Sequence, residues 1–154
     1  MSKKLLFYVG LFLCGAAVLA FTNSHQENAD AEQAIKDLIL KSYVHGAFNE
    51  LNPEEMRKGF HPDFAIFSAN GEDIRKYPIA KWADRTAAQK SDAKFDPAKN
   101  KWDHRFASID VTGGSAAVKI ELSKDGKHIF TDYLSLLKFD SGWRIVAKVY
   151  HKHE

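Results

Sequence analysis

Cysteine is nearly missing from this chain: Cys14 is the only one in 154 residues. Once an N-terminal leader containing it is removed, no disulfide, thiolate nucleophile or cysteine metal site is left. A surplus of either charge is missing too. The chain has 22 basic and 20 acidic residues, and without Lys3 and Lys4 the balance is 20 to 20. No basic field is present to hold nucleic acid. Internal repeats and low-complexity tracts are also lacking. A domain without disulfides must be held by its core, and about 130 residues suffice for one such core.

The N terminus speaks to the compartment. Met1-Ser2-Lys3-Lys4 is short and basic, Leu5 to Phe21 is an apolar run broken only by small residues, and "VLA" ends at Ala20. That is the order of a secretory signal. The expected organisation is a signal peptide over 1–20, a polar linker over 21–30 and one domain over 31–154, exported to the periplasm or the exterior. A retained membrane anchor is the alternative, since about 20 apolar residues span a bilayer and this run is slightly shorter. A lipoprotein is disfavoured, because Leu13 stands before Cys14 where a small residue is needed. N-terminal sequencing from the native host should find a start near Phe21. An intact Met1 held in the membrane would contradict cleavage.

The periodicity predicts a helix from about residue 31, with Ala34, Ile35, Leu38, Ile39, Ser42 and Tyr43 on one stripe. Asp30 is its candidate N-cap, with Gln33 three residues on. Asn52, Pro53 and Gly59 bracket a short second helix. "HPDFAIFS" reads as a strand after a His-Pro corner, and "DIRKYPI" as a brief return strand limited by Pro78. "AKWADRTAAQK" is a third helix. Four strands complete the chain: 101–112, 115–124, 127–139 and 142–152. Their turns are Gly113-Gly114, Asp125-Gly126 and Asp140 to Gly142. Helices first and long antiparallel strands last make an α+β fold with the helices on one face of a curved sheet.

Ideal turns give a trial register. Two-residue loops at "GG" and "DG" and a three-residue loop at "DSG" put Val118, Ile120, Leu122, Ile129, Leu137, Phe139, Ile145, Ala147 and Val149 on the core face. Arg105, Thr131, Tyr133 and His151 fall at one end of that face. Trp102, Phe106, Phe130, Asp132, Leu134, Leu136, Val146, Lys148 and Tyr150 fall on the other. Asp132 then reads as a cross-strand ion pair with the nearby lysines, away from any pocket. A β-bulge would flip part of this assignment.

The stretches "GFHPD", "SIDVTGGSAAVKIEL" and "TDYLSLLKFDSGWRIVAKVYH" resemble the lumazine-binding branch of the nuclear transport factor 2-like superfamily, near the polyketide-cyclase-like proteins. The resemblance covers about Ala31 to His151. It implies a cone: a curved, mostly antiparallel sheet with three N-terminal helices packed on its concave face, and a pocket between them. The superfamily includes isomerases, dehydratases, cyclases and non-catalytic binders, so the fold does not decide the activity.

In such a cone the candidate lining is Tyr43, His61, Asp63, Trp82, Arg105, Thr131, Tyr133 and His151. A few polar groups in an apolar concavity suit a small, partly apolar molecule. His61 and Asp63 can serve as base and orienter, and Tyr133 as a donor to a ligand oxygen. The competing uses are turn chemistry at the His-Pro corner and a core tyrosine with its hydroxyl at the rim. His151 and His153 share a strand face but lack a third metal ligand, so neither metal nor cofactor is expected. Three functions remain open: a non-catalytic binding domain, an isomerase-, dehydratase- or cyclase-type enzyme using His61 or Asp63 with Tyr133, and a structural or interaction module. The apolar residues on the second sheet face suggest a homodimer through the convex face, which Leu136→Asp is expected to break.

Overall fold

The computed structural model describes residues 26–154. The expected leader over 1–20 lies outside these residues. Among the described residues no helix is long and apolar enough to cross a membrane.

Helix α1 covers residues 26–49 and changes character midway. Residues 26–38 are α-helical, whereas Ile39–Asn49 is π-helical. Asp30 therefore lies inside the helix, where it accepts from Gln26 Nε2 at 2.8 Å, and is not its cap. Five-residue hydrogen bonding widens a helix. Here the Glu50 N–H donates to the His45 carbonyl at 2.8 Å. The wider turn buries Ile39, Ser42, Tyr43, Val44, Gly46 and Ala47 together, a broader face than one α-helical stripe presents. The end of α1 is closed from outside: Asn100 Nδ2 donates to the Phe48 and Asn49 carbonyls, and Asn49 Oδ1 accepts from the Trp102 N–H at 2.7 Å. The Asn100 bonds satisfy carbonyls that a helix terminus leaves open, and the Asn49 side chain ties the loop at Trp102 to the helix end.

Helix α2, Pro53–Gly59, forms as the sequence predicts. Asn52 Oδ1 accepts from the Glu55 N–H at 3.3 Å, and Pro53 occupies the first turn. Its last residue touches α1 closely. A Cβ on Gly59 would lie 2.2 Å from both Cβ and Oγ of Ser42, which is itself buried. Gly59→Ala should therefore destabilise the fold by about 1–3 kcal/mol through overpacking. A lowered urea midpoint would show it; an unchanged midpoint would mean that the two helices separate freely.

Strand β1 (Phe60–Asn70), β2 (Asp73–Pro78), helix α3 (Ile79–Lys90) and strands β3 (Asp103–Thr112), β4 (Ser115–Lys124), β5 (Lys127–Phe139) and β6 (Gly142–Lys152) follow. They build one six-stranded sheet in the order β2-β1-β6-β5-β4-β3. Only β1 and β6 run parallel; every other pair is antiparallel. Asp125 and Gly126 both have positive φ, 52° and 75°, as a two-residue hairpin turn of the Asp-Gly kind requires. The curved sheet closes over the helices, and the core between them contains Ile35, Tyr43, Phe60, Phe64, Ile120, Leu122, Leu134, Leu136 and Ile145.

The trial register fails at four points. Ala107 is an extra residue in β3, since Phe106 pairs with Ile120 while Ser108 pairs with Lys119. Ile129 is extra in β5, since His128 pairs with Ser123 and Phe130 with Leu122. Val146 is extra in β6, since Ile145 pairs with Leu136 and Ala147 with Ser135. The last turn is also tighter than expected, with Phe139 opposite Gly142. Each extra residue reverses the side-chain alternation beyond it. Leu134 and Leu136, expected outside, are each only 1% exposed, and Trp102, Phe106 and Phe130 pack against the core. Tyr133, Leu137, Phe139 and Val149, expected inside, are exposed. The homodimer expected through the convex face thereby loses most of the residues that argued for it.

Candidate functional site

The corrected register brings Asp132 and Lys148 onto the concave face, under α1. Asp132 is fully buried and Lys148 is 4% exposed. Tyr43 descends from the π-helical part of α1 to meet them. Its hydroxyl donates to Asp132 Oδ2 at 2.5 Å and accepts from Lys148 Nζ at 2.6 Å. Lys148 Nζ also lies 2.9 Å from Asp132 Oδ1, an ion-pair contact, although no donor is directed at that oxygen in hydrogen-bond geometry. Two consecutive strands and a helix remote from them in sequence thus form one continuous chain of polar atoms.

Aromatic rings enclose the amine. Lys148 Nζ lies 5.0 Å from the Tyr43 centroid, 5.1 Å from Tyr150, 5.6 Å from Trp82, and 5.8 Å from Phe48 and Phe130. Ring faces within about 6 Å attract a cation, so the cage favours positive charge on this nitrogen. Burial acts the other way and holds the Lys148 amine below the ordinary lysine range, with Asp132 offsetting part of the effect. Burial also pushes the Tyr43 phenol well above its usual value, reinforced by the charge of Asp132 and the hydrogen bond to it. Tyr43 therefore keeps its proton and acts as a donor.

Lys148 is also a wall of the main cavity, which measures about 790 Å³. Phe48, Trp82, Trp102, Phe130 and Tyr150 make its inner wall aromatic. Further lining includes four cations, Arg75, Arg85, Lys94 and Lys124, against one carboxylate, Asp92. Lys124 is held over Trp102, with Nζ 5.2 Å from the ring centroid. The cavity thus offers flat apolar walls, a positive bias and one buried amine.

Of the eight residues expected to line a pocket, Tyr43 and Trp82 come together here, with centroids 6.0 Å apart. The other six lie elsewhere. His61 stacks on Phe139 at 5.0 Å and accepts from the Asp63 N–H at 3.1 Å. The Asp63 side chain is almost wholly exposed, with Oδ2 3.7 Å from His61 Nδ1. Arg105 pairs with Glu121 at 2.6 Å on the sheet exterior. Tyr133 faces outward beneath Lys119. Thr131 hydrogen-bonds His128 and His153 at 3.1 and 2.9 Å, and His151 is exposed beside His153. Among the described residues no three His, Cys, Asp or Glu side chains are set to hold a metal ion.

The family model described as "Putative lumazine-binding" matches residues 30–151. The chain belongs to this family. Its solved structural relatives include an NTF2-like protein of unknown function from Shewanella baltica, 27% identical, with a TM-score of 0.65, covering 82% of this chain and 96% of the other. Another, from Methylobacillus flagellatus, is 29% identical, with a TM-score of 0.60 and coverage of 81% and 94%. Among curated proteins, "Aldolase FrzH" of Cladobotryum sp is 25% identical over 108 residues, 70% of this chain and 81% of that protein. The family and these folds agree with the cone implied by the sequence.

Proposed function

We propose that the cone binds a flat, partly apolar anion carrying a carbonyl group and moves protons on it through Lys148, Tyr43 and Asp132. The observation that carries this reading is the buried triad beside the cavity, with Lys148 in its wall. A buried charge with hydrogen-bonded partners in a cleft marks a candidate site on physical grounds. The aromatic walls suit a planar molecule, and the surrounding cations suit its negative charge. The similarity to a protein named as an aldolase supports a carbonyl compound, because aldol chemistry makes or breaks a carbon–carbon bond beside a carbonyl. Export is part of this proposal, and the basic start and apolar run of the first 21 residues support it.

Trp82 and Trp102 line the cavity, so their fluorescence reports occupancy. 4-(Hydroxymethyl)benzoate should give a saturable change, and 4-(hydroxymethyl)benzamide, which lacks the charge, should bind about tenfold more weakly, a difference of about 1.4 kcal/mol. Raising the salt concentration should narrow the gap through screening. Equal affinities for acid and amide would remove the anion from the proposal. No saturable change with either would remove the binding reading.

A further inference from the structure

We infer that Lys148 is a covalent nucleophile: its amine forms a Schiff base with an aldehyde or ketone bound in the cavity, and Tyr43 and Asp132 carry the protons. This step rests on the binding reading above and specifies its chemistry. Three features of the site support it. Lys148 is the amine in the cavity wall that is buried, whereas a surface lysine is strongly hydrated and protonated. Desolvation in an apolar pocket is a recognised way to activate a lysine toward carbonyl substrates. Its lowered pKa agrees with that use.

The second feature is the proton path. Lys148 Nζ, the Tyr43 hydroxyl and Asp132 Oδ2 are linked at 2.6 and 2.5 Å, and Asp132 Oδ1 lies 2.9 Å from the amine with no hydrogen bond directed at it. The ammonium can pass a proton to this carboxylate. The freed nitrogen pair then forms a bond to the carbonyl carbon, and the C=O π pair moves to oxygen. That oxygen is one bond beyond the carbon joined to Nζ, beside the Tyr43 hydroxyl, which supplies a proton and regains one from Asp132. A second proton leaves nitrogen by the same route and the oxygen departs as water with its bonding pair. The nitrogen pair closes the C=N bond. An ammonium and a carbonyl have become an iminium and one water, with no oxidant, reductant or other reactant.

The third feature is the cage. An iminium nitrogen is cationic like the ammonium it replaces. The five rings around Nζ and the Asp132 carboxylate therefore suit the adduct as well as the free lysine. The surrounding cations favour a carbonyl compound that also bears a carboxylate. An aromatic aldehyde acid or an aromatic 2-oxo acid has both groups and a flat body.

The test uses 4-carboxybenzaldehyde and phenylpyruvate with cyanoborohydride at neutral pH, followed by peptide mapping. Reduction converts an imine on lysine into a stable secondary amine. Lys148 should be modified at least tenfold faster than any exposed lysine. Tyr43→Phe, folded by circular dichroism, should slow this labelling while leaving surface labelling unchanged. 4-(Hydroxymethyl)benzoate should protect Lys148 alone. If it binds but Lys148 is labelled no faster than exposed lysines, the covalent step is wrong and the binding reading stands. If neither it nor the carbonyl compounds bind, both fall. Normal labelling of Lys148 in Tyr43→Phe would remove Tyr43 from the proton path.

Discussion

Lys148→Met should cost the fold about 3–5 kcal/mol, because it leaves Asp132 buried and without its cation. Replacing the whole triad, as Tyr43→Phe, Asp132→Leu and Lys148→Met together, should return most of that loss. A buried ion pair costs desolvation that its Coulomb attraction barely offsets, so an apolar replacement of similar size is often neutral or stabilising. Here the surroundings are already apolar: Phe48, Trp82, Phe130 and Tyr150 face the amine. The triple variant should therefore fold near wild-type stability and lose the reactive lysine, while Arg75, Arg85, Lys94 and Lys124 keep the preference for anions. Equilibrium urea unfolding of the single, triple and wild-type proteins decides it. A triple variant as unstable as Lys148→Met would mean that the triad serves the fold and not a ligand.

Leu136→Asp should unfold the domain rather than split a dimer. Leu136 lies opposite Ile145 on the concave face and is 1% exposed. The change leaves a cavity and buries a carboxylate with no partner, for a loss of more than about 4 kcal/mol. Typical domains have only about 5–15 kcal/mol of stability in total. Leu137→Asp, one residue on and 41% exposed, should cost little. Far-ultraviolet circular dichroism and urea midpoints of the pair give the answer. A folded Leu136→Asp beside an unfolded Leu137→Asp would restore the register of ideal turns.

That pair of neighbours shows where the sequence is legible and where it stops. Strands β4, β5 and β6 begin and end at the residues expected, because Gly113-Gly114, Asp125-Gly126 and Asp140-Ser141 mark the turns between strands. The cap and first turn of α2 were readable in Asn52 and Pro53 for the same reason. The phase within the strands was not readable. Each added residue sits in a run of adjacent apolar residues: Phe106-Ala107, Ile129-Phe130 and Ile145-Val146-Ala147. Alternation with a period of two carries no phase through such a run, so the bulge leaves no mark in composition.

The site suffered most from this lost phase. Asp132, Lys148 and Tyr150 were near one another in the trial register, but on the face away from the helices. A charged pair placed outside reads as a solvated ion pair. The same pair placed inside reads as a site. Tyr43 was found because it lies on the helical stripe, and Trp82 because α3 was correctly placed. The signal that could have found the rest was Lys148 itself, a lysine in "RIVAKVY". A lysine within so apolar a strand has either an outward face or a buried partner, and Asp132 was the available partner.

A ligand is proposed to meet Lys148 inside the cone. A crystal structure of the protein soaked with 4-(hydroxymethyl)benzoate tests it most directly. The ring should lie among Phe48, Trp82, Trp102 and Phe130, its hydroxyl within hydrogen-bond distance of Lys148 Nζ, and its carboxylate among Arg75, Arg85, Lys94 and Lys124. Density for the compound on the outer sheet face, beside Tyr133 and Thr131, with the cavity free of it, would mean that Lys148 is not the ligand's partner.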